Sequence, residues 1–204
     1  ENSKYTAGYY WHAQYLYNFE SDFDGAIAKM RKAVELEPLG AYSYVNLGNG
    51  LFYSRKFEEA LEAYRFSIQL NNINPLSYLD AGFSNIALGR WDEAQKDFET
   101  SASQNMDWAK AVLVHIYMKN RNEVQAQKLY NELTSPARAV YSSPYVMAMA
   151  ASGLGKKDLA HEYFKKAIEE RDTWLPYVIN HPIRLPNDVL TDPRNIALMN
   201  KSFP

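Results

Sequence analysis

The sequence predicts an all-α fold, a solenoid of stacked helical hairpins, and three observations predict it. Ala26, Ala60, Ala94, Ala126 and Ala160 recur at spacings of 34, 34, 32 and 34 residues. Four residues after each stands a bulky side chain: Met30, Tyr64, Phe98, Tyr130 and Phe164. Over 204 residues the chain is 47% apolar and 14% aromatic, enough for a continuous core. A period near 34 marks helix–turn–helix units that bury their apolar faces only against their neighbours. Each alanine is the small contact that admits a neighbouring helix.

The first hairpin pairs an aromatic-rich helix A, from Tyr9 to Tyr17, with an amphipathic helix B from about Phe23 to Leu36. Pro38 follows two residues later, where an ended helix commonly meets proline. In the second hairpin, Tyr44 to Leu51 forms helix A and Phe57 to Tyr64 forms helix B. Gly48 and Gly50 would each weaken an isolated helix by roughly 1 kcal/mol. Their presence makes sense if helix B approaches closely, with Gly48 expected to face Ala60. The third hairpin opens on Asn74-Pro75, an N-cap residue followed by proline at the first helical position. It carries Tyr78, Ala81, Gly82 and Asn85, then a turn in which Gly89 sits where a helix end wants a left-handed residue. The fourth is the least regular: helix A runs from about Trp108 to Lys119, with Val114 where a small residue is expected, and helix B from about Glu123 to Leu133. Ser135-Pro136 and Ser143-Pro144 both have the cap-then-proline form. The fifth pair is Tyr145 to Leu154 and Asp158 to Glu170, around a Gly155 turn. After Asp172 the period breaks, and prolines at 176, 182, 186 and 193 forbid one long helix. A short helix around Trp174–Ile179 and another from Arg194 to Asn200, started by Asp192-Pro193, are expected to cover the last apolar face.

Composition excludes several function classes. The formal net charge is −2 with both signs mixed and no basic stripe, which argues against direct binding of nucleic acid. There is no cysteine, so disulfide and thiolate chemistry are excluded. No apolar run approaches the roughly 20 residues that span a bilayer. Glu1-Asn2-Ser3-Lys4 lacks an initiator Met and a signal h-region, and reads as the start of a mature product or of an excised piece of a longer protein. The cytoplasm is the expected compartment, with the periplasm as the alternative.

These residues resemble the tetratricopeptide repeat, whose signature is W-x2-L-G-x2-Y, then A-x3-F, then P. Tyr44, Leu47, Gly48 and Leu51 with Ala60 and Tyr64 follow it, as do Tyr78, Ala81 and Gly82 with Ala94 and Phe98. The first unit offers Tyr10, Ala13, Tyr17, Ala26, Met30, Ala33 and Pro38, and the fourth Leu113, Tyr117, Ala126 and Tyr130. The fifth offers Met147, Ala148, Ala160, Phe164 and Ala167. The resemblance implies a right-handed superhelical array over 1–172, with repeats near 7–40, 41–74, 75–106, 107–140 and 141–172, and a helical cap at 173–204. A shorter resemblance lies in Glu169-Glu170-Arg171-Asp172, Trp174-Leu175 and Asp192-Pro193-Arg194. It is to a tail that follows such repeats in bacterial signalling proteins: nucleotide cyclases, winged-helix regulators and some kinases. Where those tails carry Arg-Ser-Asp-Pro-Arg-Phe, this chain ends the motif on Asn195.

No arrangement for catalysis is present in the sequence, and no metal or other cofactor is expected. His12, His115, His161 and His181 are far apart and lack metal-ligand spacing. Gly48-Asn49-Gly50 and Gly153-Leu154-Gly155 follow no strand and are not phosphate loops. Glu58-Glu59 and Glu169-Glu170 are adjacent on helices, do not face each other, and read as solvated faces. Ser142-Ser143 lacks any nucleophile context.

In the resembled family the A helices line a concave face. Carried over by position, that face holds Trp11, Tyr15 and Asn18, then Tyr42, Val45, Asn49 and Tyr53. Leu76, Leu79, Phe83 and Ile86 follow, then Trp108, Ala111 and His115. The row is aromatic, with asparagines and few charges, and suits an extended peptide or a partner helix. Family members that bind acidic C-terminal peptides use a clamp of lysines, asparagines and an arginine. Here Asn46 fits one clamp position, while Trp11, Tyr15, Leu76 and Asp80 occupy others, so that specificity is rejected. Tyr10, Tyr17, Tyr44 and Tyr78 read as packing between repeats. The function expected is a non-catalytic protein–protein interaction module, with a structural repeat arm that mediates oligomerisation or spacing in a complex as the alternative.

Overall fold

The computed structural model describes residues 2–16, 20, 22–137, 141–179, 181–183, 185 and 188–202, the side chains of 2–5, 176 and 177 excepted. Those residues are helices and their connections, and they fall into two units, Glu1–Gln104 and Asn105–Pro204. The first unit holds three antiparallel hairpins: α1 (Asn2–Tyr15) with α2 (Phe23–Leu36), α3 (Ala41–Tyr53) with α4 (Phe57–Leu70), and α5 (Pro75–Ala87) with α6 (Trp91–Ser103). Within it α2 packs on α3 and α4 on α5, so each hairpin covers the next. The second unit pairs α7 (Asp107–Lys119) with α8 (Glu123–Thr134) and α9 (Pro144–Gly153) with α10 (Lys157–Glu169). Its end carries α11 (Leu175–Ile179), a 3-10 turn (Val189–Thr191) and α12 (Pro193–Ser202).

Helix ends repeat as strictly as the alanines. Arg55, Gly89, Arg121 and Gly155 close the A helices of four hairpins, each with positive φ (61°, 77°, 58° and 73°). The next N–H reaches back five residues each time: Lys56 to Leu51, Arg90 to Asn85, Asn122 to Tyr117 and Lys156 to Ala151, at 2.8–3.0 Å. This closure satisfies carbonyls that the helix leaves open. Glycine holds the left-handed conformation without a Cβ penalty, and arginine does not. Arg55→Gly is therefore expected to raise the unfolding free energy by about 0.5–1 kcal/mol, read as a higher urea midpoint at an unchanged slope.

Helix starts follow the sequence less evenly. Asn74 accepts the Leu76 N–H at 3.1 Å ahead of Pro75, and Ser143 accepts the Val146 N–H at 3.3 Å ahead of Pro144. Asp22 accepts from Gly25 at 2.9 Å. Ser135 differs, because it closes α8. The 32-residue interval has a plain origin. Helix α6 is one residue shorter than α4, and 104–106 connects with three residues where 71–74 uses four.

All five alanines of the period are buried, as are Ala148, Gly48 and Gly82. Gly48, however, does not meet Ala60 as its nearest neighbour. A Cβ added there would lie 2.5–2.8 Å from the Tyr64 ring, and one at Gly82 would lie 2.8–2.9 Å from the Phe98 ring. The small residue of helix A thus seats the aromatic ring four residues beyond the alanine of helix B.

The C-terminal segment is fastened to the last hairpin by polar groups. Buried Asp172 accepts hydrogen bonds from the Ser143 hydroxyl and from the N–H groups of Tyr145 and Trp174, the latter two at 3.0 Å. One carboxylate therefore caps α9 and turns the chain toward α11. At the far end, buried Asn195 lies with Oδ1 2.6 Å from His161 Nδ1 and donates Nδ2 to the Val189 carbonyl at 2.8 Å. These bonds stand where the resembled tails place phenylalanine. Arg194 bridges Asp192 and Asp158, each at 2.8 Å, and its hydrogen bond holds the Asp192 carboxyl down at about 2. No helix among the described residues is long and apolar enough to cross a membrane.

Candidate functional site

On α3, residues 42, 46, 49 and 53 are spaced by four, three and four, which puts them on one stripe of the helix. Tyr42 is 59% exposed, Asn49 and Tyr53 are half-buried, and Asn46 is buried. The stripe is reached from behind. The Tyr64 ring on α4 is fully buried against Gly48, yet its hydroxyl donates to Asn49 Oδ1 at 2.7 Å. Glycine at 48 is what lets this ring lie close enough to α3 for the bond. Burial raises the Tyr64 hydroxyl well above its ordinary pKa, and the charges of Asp80 and Tyr53 add to the effect. Asn49 is thus oriented by a side chain of the scaffold helix.

On α5 the equivalent stripe is Leu76, Asp80, Phe83 and Ala87. Asp80 is half-buried, and among the described residues its carboxylate makes no hydrogen bond or ion pair. Burial raises its pKa from 3.8 to about 7. A carboxyl whose folded pKa lies above its unfolded value disfavours the folded state when ionised. That penalty is absent below about pH 4, grows as pH rises through 7, and is then constant. Between pH 5 and pH 8 it grows by about 2–3 kcal/mol, from roughly 1.4 kcal/mol per pH unit. Asp80→Asn is expected to raise stability at both values, and by about that much more at pH 8 than at pH 5, measured by urea unfolding at both. Equal effects at both would refute the assignment.

On α1, Trp11 and Tyr15 are four apart on one face, 68% and 51% exposed. Trp11 stands edge-on to Tyr10 at 5.1 Å, and Tyr10 meets Tyr42 at 5.8 Å, which joins α1 aromatics to the α3 stripe. Asn18 and Tyr17 lie outside the described residues.

Seven residues of the expected row are core instead: Val45, Leu79, Phe83, Ile86, Trp108, Ala111 and His115. Leu79 is buried, and Phe83, 3% exposed, packs edge-on to Phe98 at 5.2 Å. In the second unit Trp108 is buried 4.9 Å from Trp174, beside a cavity of about 400 Å³ that Tyr141 and Asp172 also line. His115, 4% exposed, has Nε2 2.8 Å from the Met149 carbonyl, and a Cβ at Gly153 would meet its ring at 2.9 Å. Each fills space against its own unit and offers little area to a ligand. The sequence marks Asp80 only as a residue that does not fit a clamp for acidic peptides, and Gly153 only as part of a segment that is no phosphate loop. The signal for Asp80 was that α3 and α5 together carry no other formal charge. Glu58 and Glu59, read as solvated, pair in different directions, to Arg90 and to Arg31. Among the described residues no three of His, Cys, Asp or Glu gather where a metal ion could be held.

Comparison with known proteins agrees with the repeat architecture. The tetratricopeptide repeat family model matches residues 143–172. The TPR repeat-containing thioredoxin TDX of Arabidopsis thaliana is 28% identical over 85 residues, 42% of this chain. The chain spans only 22% of that relative's length. Among solved structures, a thermophilic TPR protein of Thermus thermophilus superposes with a TM-score of 0.64 at 16% identity, covering 86% of this chain and 96% of that one. PilF of Pseudomonas aeruginosa gives 0.61 at 19% identity, covering 84% and 79%. At these identities the likeness is one of fold: an all-α repeat architecture of the tetratricopeptide kind.

Proposed function

We propose that this tetratricopeptide-type chain is a non-catalytic interaction module whose first unit binds an extended peptide segment of a partner protein along α1, α3 and α5. The observation that carries the reading is the character of that side. Its aromatic side chains Trp11, Tyr15 and Tyr42 are exposed in water, and Asn49 is held in place by Tyr64. Rigid exposed aromatics beside an oriented amide supply contact area and backbone recognition at little entropic cost. The resemblance of the C-terminal segment to tails of bacterial signalling proteins supports a place in the sensory or docking part of such a protein.

The test uses fluorescently labelled decapeptides of random sequence and the full chain. Tyr15→Ala and Tyr42→Ala are each expected to weaken binding at least tenfold while leaving stability within about 0.5 kcal/mol, since both side chains are more than half exposed. Unchanged binding would rule out this side of the unit. A second reading, an arm that joins copies of the chain through Trp11 and Tyr15, is separated by sedimentation across concentration. A stable homodimer that Trp11→Ala dissociates would favour it.

A further inference from the structure

We propose that Asp80 is the subsite for a basic side chain, arginine or lysine, of an extended peptide lying on α3 and α5. This rests on the reading above and names the chemistry of its partner.

Four observations support it. First, Asp80 is the sole formal charge on α3 and α5, so the field over that surface is its own. Second, its carboxylate makes no hydrogen bond or ion pair among the described residues, although it is half-buried. Third, nearby cations are engaged elsewhere. Arg65 bonds Asp97, Arg90 bonds Glu58, Arg31 bonds Glu59 and Lys56 bonds Asp24, all on the B-helix side. Fourth, the group is placed beside the binding stripe, because it acts electrostatically on the Tyr64 hydroxyl that orients Asn49.

A half-buried carboxylate without an internal partner is a cost to the fold, and a guanidinium or ammonium group offsets that cost best, through a charge-assisted hydrogen bond. Neutral donors give about half the strength. An acidic side chain placed there would meet a like charge. Tyr53, half-buried and close enough to bear on the same hydroxyl, offers a ring near the subsite for the cation's flank. Burial raises the carboxyl to about 7, and a bound cation would draw it back down by favouring the ionised form.

The experiment uses labelled decapeptide pools, random except for a fixed central Arg, Lys, Gln, Leu or Glu, titrated by anisotropy against the full chain, Asp80→Asn and Tyr42→Ala. The Arg and Lys pools are expected to bind at least fivefold more tightly than the Leu and Glu pools. In Asp80→Asn that preference should fall below twofold, with the Leu pool unchanged. Raising the salt concentration should shrink the preference in the native chain. A preference that survives Asp80→Asn, or a native preference for Glu, Gln or Leu, overturns the proposal. If all pools bind alike and all weaken in Tyr42→Ala, this inference fails and the binding side stands. If no pool binds, or Tyr42→Ala changes nothing, both fail. Asp80→Asn is expected to be at least as stable as the native chain, so loss of preference will not be loss of fold.

Discussion

Replacing Phe98 by alanine is expected to lower the unfolding free energy by about 3–5 kcal/mol, the range for deleting a sealed aromatic side chain. The ring is 0% exposed, lies over Gly82 and meets Phe83 edge-on. It is the third-hairpin copy of the contact that organises the repeat. The partner substitution makes the claim sharper. Gly82→Ala gains about 1 kcal/mol of helix propensity, but its Cβ would stand 2.8–2.9 Å from a ring with no room to retreat. Overpacking of this kind costs about 1–3 kcal/mol, so a net loss near 1 kcal/mol is expected. In a Phe98→Leu background the same Gly82→Ala change should become neutral or stabilising by up to about 1 kcal/mol. Additive effects in that double-mutant cycle would show that glycine is there for some reason other than the ring.

The second large effect is expected at Asp97, which is 5% exposed and joins three helices. Both guanidinium nitrogens of Arg65 on α4 donate to it, at 2.5 and 2.7 Å, and Asn85 Nδ2 on α5 donates at 2.8 Å. Asp97→Ala leaves the partly exposed guanidinium to rehydrate, but strands the Asn85 amide, which is 1% exposed. Breaking a buried charge network costs about 3–5 kcal/mol, and the partial exposure of Arg65 moves the expectation to about 2–4 kcal/mol. The measurement is urea unfolding at pH 7, with Asp97→Asn expected to fall between native and alanine. An alanine variant within about 0.5 kcal/mol of native would mean that the pair fixes geometry without contributing stability.

The hairpins were legible because alanine and the bulky residue four later sit on the same buried face of each B helix. Their register survives even where the interval shortens to 32. The partner of Gly48 was misread because a long helical side chain leans over the turn before its own Cα. Tyr64 therefore covers the ground near Ala60 and takes the place facing the glycine. Left-handed turns were legible at Gly89 and not at Arg55 or Arg121, where nothing in the residue type announces φ > 0.

The site was legible only in part. Spacing assigns Trp11, Tyr15 and Tyr42 to a face, and these are exposed. Spacing alone does not say how wide a strip the neighbouring helices cover, and Leu79 and Phe83 fall inside it. Trp108 is sealed by Trp174, from an aperiodic segment that no repeat register could place. Asp80 drew notice only as a residue that spoiled a clamp for acidic peptides. Its significance lies in being, among the described residues, a half-buried carboxylate with no hydrogen bond or ion pair, which only the packing of α3 and α5 reveals.

The central claim is that A helices of the first unit bind while B helices act as scaffold. Its most direct test is an NMR titration of the uniformly ¹⁵N-labelled full chain with the tightest-binding decapeptide from the series above. The expected shifts concentrate at the amides of Tyr42, Asn49, Tyr53 and Asp80, with Glu62, Gln69, Lys96 and Glu99 on the exposed sides of α4 and α6 unmoved. Shifts centred on those four exposed residues, with the α3 and α5 stripes silent, would contradict the claim.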